Sequence, residues 1–272
     1  MALKIAVLGA GNMGISFSRS FLKYDLVKPE NLHLIIRNDE KKQLIAEEFS
    51  SSTVSSFDEL DALDANLIII AVKPQDFAFV AENLPFKIPA DSLVLSIMAG
   101  ITIAKIKQAL QHDVVVRAMP NAPTLLGMGV TGYTAASGIS FQKLIQVERL
   151  LNATGRSVYL EEENLLDSVT ALSGSGPAYF YYIVDAMIKA GTAMGIEENL
   201  SQLFVQQTML GAYHLINNSG KSLDELISDV ASKGGTTEAA LNTFNENQLQ
   251  HIIKQGIFAA EQRASELNRN SG

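Results

Sequence analysis

The sequence has no cysteine, and this absence excludes several classes of protein at once. Without thiols the chain has no disulfide framework, no cysteine-based zinc site and no cysteine nucleophile. Its histidines are widely separated and lack the i, i+4 spacing of a helical metal-binding pair. They are His33, His112, His214 and His251. The sequence therefore predicts no metal site.

Long hydrophobic runs and basic clusters are also missing. The apolar run from Met1 to Ala10 is too short to span a bilayer and meets a glycine turn at once. No other uninterrupted apolar segment approaches the length of a bilayer crossing. The formal net charge is −8, and lysine and arginine are spread along the chain, which argues against nucleic acid or a membrane as a partner. With 47% hydrophobic and 18% charged residues, we expect a globular, cytoplasmic protein.

Strand-length runs alternate with helical patterns through residues 1–160. The predicted strands are Lys4–Leu8, Leu32–Ile36, Leu67–Val72, Leu93–Ile97, Val114–Met119, Val130–Thr134 and Ser157–Leu160. Several are apolar at consecutive positions, as at 67–72, which is typical of a strand covered by helices on both faces of a parallel sheet. The pattern predicts a doubly wound α/β domain over residues 1–160.

Strand patterns stop after Leu160, so we expect an all-helical domain over residues 161–272. Ser222 and Glu225 have the spacing of a capping box and predict the start of a helix there. The stretch from Pro177 to Gly191 is apolar or aromatic on nearly every side, interrupted only by Asp185 and Lys189. We infer that it lies at a subunit interface, the alternative being a fully internal helix.

A glycine motif directly follows the first predicted strand. It reads Gly9-Ala10-Gly11-Asn12-Met13-Gly14 and precedes an apolar, helix-compatible segment. The first glycine permits a tight turn, the second lets the backbone approach a pyrophosphate, and the third allows close packing of the helix. In this context the motif predicts a dinucleotide site that includes Gly9, Gly11, Asn12, Met13 and Gly14.

The end of the second predicted strand bears on which nicotinamide cofactor binds. It reads Arg37-Asn38, where NAD-binding domains place an acid that accepts from the ribose hydroxyls. A guanidinium at Arg37 can pair with a 2′-phosphate, which favours NADPH over NADH. Asp39 would take the acidic role if the strand ended later, so NADH stays possible.

Two loops follow later strands and are expected near the nicotinamide, because ligands bind at the carboxyl ends of parallel strands. Pro74 and Pro120 would end their strands sharply. The alternative is that both loops are ordinary turns and that the side chain of Lys73 is solvated. The candidate cofactor-binding residues of these loops are Ala71, Val72, Lys73 and Pro74, and then Met119, Pro120 and Asn121.

Together with two later segments, these motifs make the chain resemble the pyrroline-5-carboxylate reductase family along essentially its whole length. The later segments are Leu172–Tyr179, which reads LSGSGPAY, and Ser232–Leu241, which reads SKGGTTEAAL. The resemblance implies an N-terminal Rossmann domain and a C-terminal helical domain that forms dimers, which often assemble into decamers. It also implies that NADPH delivers hydride to the imine carbon of 1-pyrroline-5-carboxylate, a small cyclic imino acid, and so yields L-proline in the last step of proline biosynthesis.

The resemblance also implies residue roles. The substrate-binding candidates are Ser173, Gly174, Ser175, Gly234, Gly235, Thr236 and Thr237. Gly234 and Gly235 precede a helix start near Thr236 or Thr237, where unpaired backbone N–H groups would suit the substrate carboxylate. Thr237, the catalytic candidate, would place its hydroxyl against the ring nitrogen. Ser173-Gly174-Ser175 is expected to be a loop lining the substrate pocket, the alternative being a helix-start turn with capping serines.

Two departures from the family pattern and two rival functions stay open at this point. The family commonly has proline at the position of Lys233 and threonine at that of Ala122; Lys233 could assist the substrate carboxylate or face solvent. A β-hydroxyacid dehydrogenase would need a lysine soon after its glycine-rich loop, yet the first one after Gly176 is Lys189. A non-catalytic NADPH-binding sensor is the other alternative, because fold alone does not establish function.

Overall fold

The computed structural model describes residues 2–37, 39–59, 64–84 and 87–270. The chain divides into two compact units: Met1–Ser175 with Ala260–Gly272 forms the first, and Gly176–Ala259 forms the second. The last strand ends at Tyr159. The boundary predicted near residue 160 therefore marks the end of the sheet, whereas the first unit continues to Ser175 and includes the C-terminal residues.

The first unit is built on one eight-stranded sheet. Its strands are β1 (Ile5–Leu8), β2 (Leu32–Ile36), β3 (Thr53–Ser56), β4 (Leu67–Ile70), β5 (Leu93–Ser96), β6 (Val115–Met119), β7 (Gly129–Ala135) and β8 (Gly155–Tyr159). Its helices are α1 (Asn12–Lys23), α2 (Asp39–Glu48), α3 (Phe77–Glu82), α4 (Ile103–Leu110), α5 (Phe141–Asn152) and α6 (Leu165–Val169). This confirms the predicted doubly wound α/β domain.

The strand order is β3-β2-β1-β4-β5-β6-β7-β8. Because β1 lies between β2 and β4, the order reverses there, and the carboxyl ends of β1 and β4 flank the switch point where such sheets bind ligands. All neighbouring strands are parallel except β6 and β7. Their connection holds only the short 3₁₀ helix Ala122–Leu126, too short for the crossover that a parallel pair needs.

Seven of the strands agree with the sequence prediction to within about two residues, and β3 was missed. Its sequence, Thr-Val-Ser-Ser, is short and mostly polar, so it carries no apolar run. It pairs with β2 at the edge of the sheet, where burial on both faces is not required.

The core lies on both faces of the sheet, as the consecutive apolar runs predicted. Along β4, Leu67 and Ile69 pack on one face while Ile68 and Ile70 pack on the other, and all four side chains are fully buried. Each such side chain contributes about 1.5–3 kcal/mol through removal from water. The sheet that carries the carboxyl-end loops is therefore a rigid support.

A buried ion network joins the sheet to α6 and to the last helix. Arg117 of β6 is 2% exposed. Its guanidinium donates to Glu163 Oε1 at 3.0 Å and to Asn268 Oδ1 at 3.3 Å, and it lies 3.7 Å from Asp167 Oδ1. Asp167 also accepts from Ser265 Oγ at 3.0 Å and from the Asn268 amide. These contacts explain why residues from 260 onward belong to the first unit.

The second unit is all-helical, as predicted. Its helices are α7 (Gly176–Ala193), α8 (Glu198–Asn218), α9 (Leu223–Val230), α10 (Thr236–Glu246) and the first part of α11 (Leu249–Asn270). The capping box is confirmed: the Ser222 side chain accepts from the Glu225 amide, and the Glu225 carboxylate accepts from the Ser222 amide at 2.8 Å. Gly191 lets α7 approach α8, since a Cβ there would lie 2.6 Å from Ser201 Oγ.

The apolar helix α7 is not internal in the single chain. Only Gly176 and Gly191 are buried along it, whereas Phe180, Tyr181 and Tyr182 are 64%, 66% and 79% exposed. Contiguous exposed apolar surface of this kind marks an interaction site. The fully internal alternative for this helix is therefore wrong.

No helix within the described part of the chain is both long enough and apolar enough to cross a membrane. The same residues contain no group of three or more His, Asp or Glu side chains placed to hold a metal ion.

Replacing Arg117 tests the ion network. We expect Arg117→Met to lower the free energy of unfolding by about 3–5 kcal/mol, because it leaves the buried Asp167 carboxylate without its countercharge. Urea denaturation at fixed protein concentration measures the change. Arg149→Met makes the same substitution on the exposed face of α5 and should stay within about 0.5 kcal/mol of the parent. Equal stability of the two variants would contradict the prediction.

Candidate functional site

The glycine motif forms the turn between β1 and α1. Gly9 has φ +103°, and a Cβ there would lie 2.9 Å from the carbonyl oxygen of Ala71, so no other residue fits without a shift. A Cβ at Gly14 would lie 2.2 Å from the Gly9 carbonyl oxygen. The first and third glycines thus have the predicted roles of turn and close packing. Gly11 differs, since a Cβ there would meet nothing within 4 Å.

A cavity of about 400 Å³ opens beside this turn, at the carboxyl ends of β1, β2 and β4. Its volume is in the range of small-molecule and cofactor sites. Its lining includes the predicted cofactor-binding residues Gly9, Gly11, Arg37, Ala71, Val72 and Lys73. The open space at Gly11 and the exposed start of α1 suit a pyrophosphate, so the residues present fit a dinucleotide.

Charged side chains surround one part of the cavity. Arg37 lies at the end of β2, donates to Asp76 Oδ1 at 2.8 Å and stacks over the Phe79 ring, with 5.7 Å from guanidinium carbon to ring centroid. Lys41 and Lys73 also line the cavity. Three cations and one carboxylate therefore face the same space, which favours an anionic ligand.

Sequence reasoning missed part of the lining. Ile36, Lys41, Phe57, Asp76 and Val80 are cavity residues that no motif indicated. Asp76 ends the 3₁₀ turn Pro74–Asp76, and only folding brings its carboxylate across to β2. Its position just after the Ala-Val-Lys-Pro segment was the one available signal.

Other predicted cofactor residues lie next to the cavity or further along the sheet. Asn12, Met13 and Gly14 form the first turn of α1, and Pro74 begins the 3₁₀ turn after β4, but none belongs to the described lining. Asn38 lies outside the described residues. Met119 is the last residue of β6, two strands from β4, and Pro120 and Asn121 follow it.

The Asn121 side chain anchors its own loop. It is 8% exposed, and its Oδ1 accepts from the Val130 amide of β7 at 3.0 Å. The same loop is tied to α1, because Ser16 Oγ donates to the Thr124 carbonyl at 3.1 Å. The loop after β6 is thereby fixed against α1.

Ser173-Gly174-Ser175 is not a loop, contrary to the prediction. Residues Thr170–Gly174 form a π-helical turn that continues α6 toward α7. Ser173 Oγ donates to the Val169 carbonyl at 3.1 Å, so it caps no helix start. A Cβ at Gly174 would lie 2.8 Å from Met119 Cε. Glycine therefore brings this turn into contact with the end of β6, and π turns recur at functional sites.

In the second unit, Gly234 has φ +74° and Gly235 is the N-cap of α10, which begins at Thr236 as expected. The N–H groups of the two glycines themselves are both paired. Gly234 donates to Glu238 Oε2 at 2.7 Å, and Gly235 donates to the Ser232 carbonyl at 2.9 Å. The side chain and the turn itself satisfy these donors, as commonly happens at helix starts.

The next three amides, those of residues 236–238, find no acceptor among the described residues. They are the first N–H groups of an eleven-residue helix and point along its positive dipole end. Thr237 is half-buried in this turn, while Thr236 and Lys233 are exposed. Lys233 thus faces solvent in the single chain.

Histidine is not placed for chemistry at the cavity. His33 lies at the amino end of β2, opposite the carboxyl end that carries Arg37, and its ring contacts Ser55 Oγ. Burial lowers the pKa of His33, which favours the neutral ring. His112 is buried against the Ser92 carbonyl at 2.8 Å. Both are structural residues of the first unit.

Comparison with known proteins accounts for both units. Residues 163–267 match the model for pyrroline-5-carboxylate reductase dimerisation, and residues 4–100 match that for NADP oxidoreductase, coenzyme F420-dependent. A pyrroline-5-carboxylate reductase of Pseudomonas aeruginosa is 37% identical over 270 residues, which cover 99% of this chain and 98% of that protein. The chain belongs to the pyrroline-5-carboxylate reductase family.

Solved structures of the family have the same fold. The 1-pyrroline-5-carboxylate reductase of Streptococcus pyogenes is 28% identical, with a TM-score of 0.86 and coverage of 97% of this chain and 99% of that one. The pyrroline carboxylate reductase of Plasmodium falciparum, solved with NADP bound, is 26% identical, with a TM-score of 0.85 and 98% coverage of both chains. The all-helical region of this family member therefore corresponds to a dimerisation domain.

Two glycine substitutions distinguish an effect on cofactor binding from an effect on protein stability. Gly11 has extended backbone angles that alanine adopts, so Gly11→Ala should leave the melting temperature within about 2 °C of the parent. The added methyl group enters the cavity, and we expect NADP⁺ affinity to fall at least about tenfold, or about 1.4 kcal/mol. Calorimetric titration measures it.

Gly14→Ala is the matched control. Its methyl group would collide with the Gly9 backbone, so both the melting temperature and NADP⁺ affinity should fall. Unchanged NADP⁺ binding by a folded Gly11→Ala protein would show that no pyrophosphate lies against Gly11.

Proposed function

We propose that this protein is an NADPH-dependent imine reductase that converts 1-pyrroline-5-carboxylate to L-proline in the cytoplasm, as a homodimer. The observation that carries the proposal is the similarity over 99% of the chain to a pyrroline-5-carboxylate reductase, together with a cavity of matching chemistry at the switch point of the sheet. The dimerisation match and the exposed apolar surface of α7 support the homodimer. Assembly of dimers into decamers stays a prediction of the resemblance.

The cofactor would lie along the first unit, with its pyrophosphate at Gly9–Gly11 and its 2′-phosphate at Arg37. When bound, NADPH supplies the hydride that reduces the C=N bond. Lys73 after β4 and the Met119–Asn121 loop after β6 would contact the nicotinamide half. The network around Arg117 would hold that second loop in place.

The resemblance implies substrate contacts in each of the two units. The amides of residues 236–238 would bind the substrate carboxylate, and the Thr237 hydroxyl oxygen would accept from the N–H of the iminium ring. The π turn Thr170–Gly174, which contacts Met119, would line the imine ring. Because hydride transfer neutralises an iminium that is already protonated, positioning suffices and no strong acid is required.

The rival functions have weaker support. Lys189, the first lysine after Gly176, lies on the exposed face of α7 and pairs with Asp185 at 2.6 Å, so it is placed for a surface ion pair. A β-hydroxyacid dehydrogenase would need a catalytic lysine much earlier in the helix. A non-catalytic sensor would bind NADPH without turnover, and the assay below distinguishes it.

The decisive experiment follows NADPH absorbance after addition of 1-pyrroline-5-carboxylate. Pyrroline-2-carboxylate and a 3-hydroxy acid with NADP⁺ serve as parallel substrates. We expect rapid NADPH oxidation with 1-pyrroline-5-carboxylate alone. Tight NADPH binding without turnover of any substrate would favour the sensor, and turnover of the hydroxy acid would favour the dehydrogenase.

Thr237 provides a test of substrate orientation. Thr237→Ala should lower kcat/KM for the imine by about 10- to 100-fold, since one hydrogen bond to the reacting ring is lost, while NADP⁺ affinity is retained. Thr237→Ser keeps the hydroxyl and should restore most of the activity. Thr243→Ala, which removes a hydroxyl bonded to the Ala239 carbonyl later in α10, is the control. A loss of NADP⁺ affinity in Thr237→Ala would refute the assignment to substrate.

Arg37 provides a test of the cofactor assignment. Arg37→Asp should weaken NADPH binding by about 100-fold and NADH binding by much less, because attraction to the 2′-phosphate becomes repulsion. Arg149→Asp makes the same charge change outside the cavity lining and should alter neither affinity. Parallel titrations of NADPH and NADH measure the ratio of the two dissociation constants. An unchanged ratio in Arg37→Asp would contradict the assignment of Arg37 to the 2′-phosphate.

A further inference from the structure

The carboxylate of Asp76 stands where the 2′-phosphate of the cofactor would need the Arg37 guanidinium. Both side chains line the cavity, and their ion pair is 2.8 Å long. Asp76 precedes α3 as its N-cap, yet its side chain caps no helix amide. The carboxylate is therefore directed to Arg37 and away from the usual role of aspartate at a helix start.

Arg37 is held from two sides by the same segment. Asp76 accepts from its Nη1, and the guanidinium carbon lies over the Phe79 ring at 5.7 Å from the ring centroid. Arg37 remains 58% exposed in its side chain, so the guanidinium still presents donors to the cavity. A guanidinium has five N–H donors, which allows it to contact a carboxylate and a phosphate together.

We propose that Asp76 is a specificity-determining residue that limits the preference of this site for 2′-phosphorylated cofactor by competing for Arg37. This inference rests on the proposed function. A dianionic 2′-phosphate must share Arg37 with Asp76 and lies close enough to feel its negative charge. A ribose hydroxyl carries no charge and is not repelled. Asp76 therefore lowers affinity for the NADP form and leaves affinity for the NAD form nearly unchanged.

The substitution Asp76→Asn isolates this effect. Asparagine has the same shape and keeps an oxygen that accepts from Arg37, but it removes the negative charge. The ligands 2′,5′-ADP and 5′-AMP differ by the 2′-phosphate alone, so they report on this contact without turnover. Calorimetric titration of both ligands, and of NADP⁺ and NAD⁺, gives dissociation constants directly.

We expect Asp76→Asn to bind 2′,5′-ADP and NADP⁺ about three- to tenfold more tightly, and 5′-AMP and NAD⁺ within about twofold of the parent. The gain should shrink as the salt concentration is raised from about 50 to about 500 mM, because the site is solvent-accessible and the Debye length falls about threefold over this range. Asp113→Asn is the control, since it neutralises an exposed aspartate in an ion pair of equal length, Lys107 to Asp113 at 2.8 Å, outside the cavity lining.

A second background tests whether the effect passes through Arg37. Asp76→Asn should tighten 2′,5′-ADP binding in both backgrounds by a factor that is the ratio of the two dissociation constants. In the Arg37→Ser background, we expect this factor to be less than half of its value in the parent. An equal gain in affinity in both backgrounds would mean that the Asp76 carboxylate repels the 2′-phosphate directly, without acting through Arg37. That result would overturn the proposal that Asp76 competes for Arg37. Unchanged or weaker 2′,5′-ADP binding by Asp76→Asn in the parent would overturn it as well.

Failure of the inference is distinguishable from failure of the proposed function. If Arg37→Ser alone binds 2′,5′-ADP as tightly as the parent, then Arg37 is no phosphate ligand and the cofactor assignment itself fails. If Arg37→Ser loses that affinity while Asp76→Asn changes nothing, only the role of Asp76 is wrong. Melting temperatures of all variants show whether they are folded.

Discussion

The arrangement of β6, α6 and the C-terminal end of the chain depends on the buried guanidinium of Arg117. This guanidinium joins β6 to Glu163 just before α6, to Asp167 within α6 and to Asn268 near the C-terminus. A buried charge of this kind is costly unless each partner is in place, so its energy favours one arrangement of these segments. Two residues beyond Arg117, Met119 contacts Gly174. The same arrangement that satisfies the charge therefore brings the π turn to the end of β6.

The second constraint on the site is steric, because several positions have no room for a Cβ atom. Gly9 and Gly14 allow two backbone segments to touch, and Gly174 allows the π turn to reach Met119. In each case the missing Cβ leaves room for protein. At Gly11 no protein atom would lie within 4 Å of an added Cβ, so the missing Cβ leaves open space. Of these four glycines, three permit close packing within the protein, whereas Gly11 borders open space at the cavity.

The sequence was sufficient where local pattern and tertiary structure agree. Consecutive apolar residues in β4, the glycine turn after β1 and the capping box at Ser222 are local features, and each is found as predicted. It was insufficient where distant residues decide. Asp76 reaches Arg37 only across the sheet, and Asn268 returns to Arg117 from the far end of the chain. Neither pairing leaves a spacing signal in the sequence.

The exposed aromatic surface of α7 has a thermodynamic consequence. Three neighbouring aromatic side chains of a helix are more than half exposed in the single chain, and this region corresponds to a dimerisation domain. If association covers them, part of the free energy that holds the second unit together comes from a bimolecular step. The resistance of this chain to heat would then be a property of its concentration as well as of its sequence, and dilution alone would act as a denaturant.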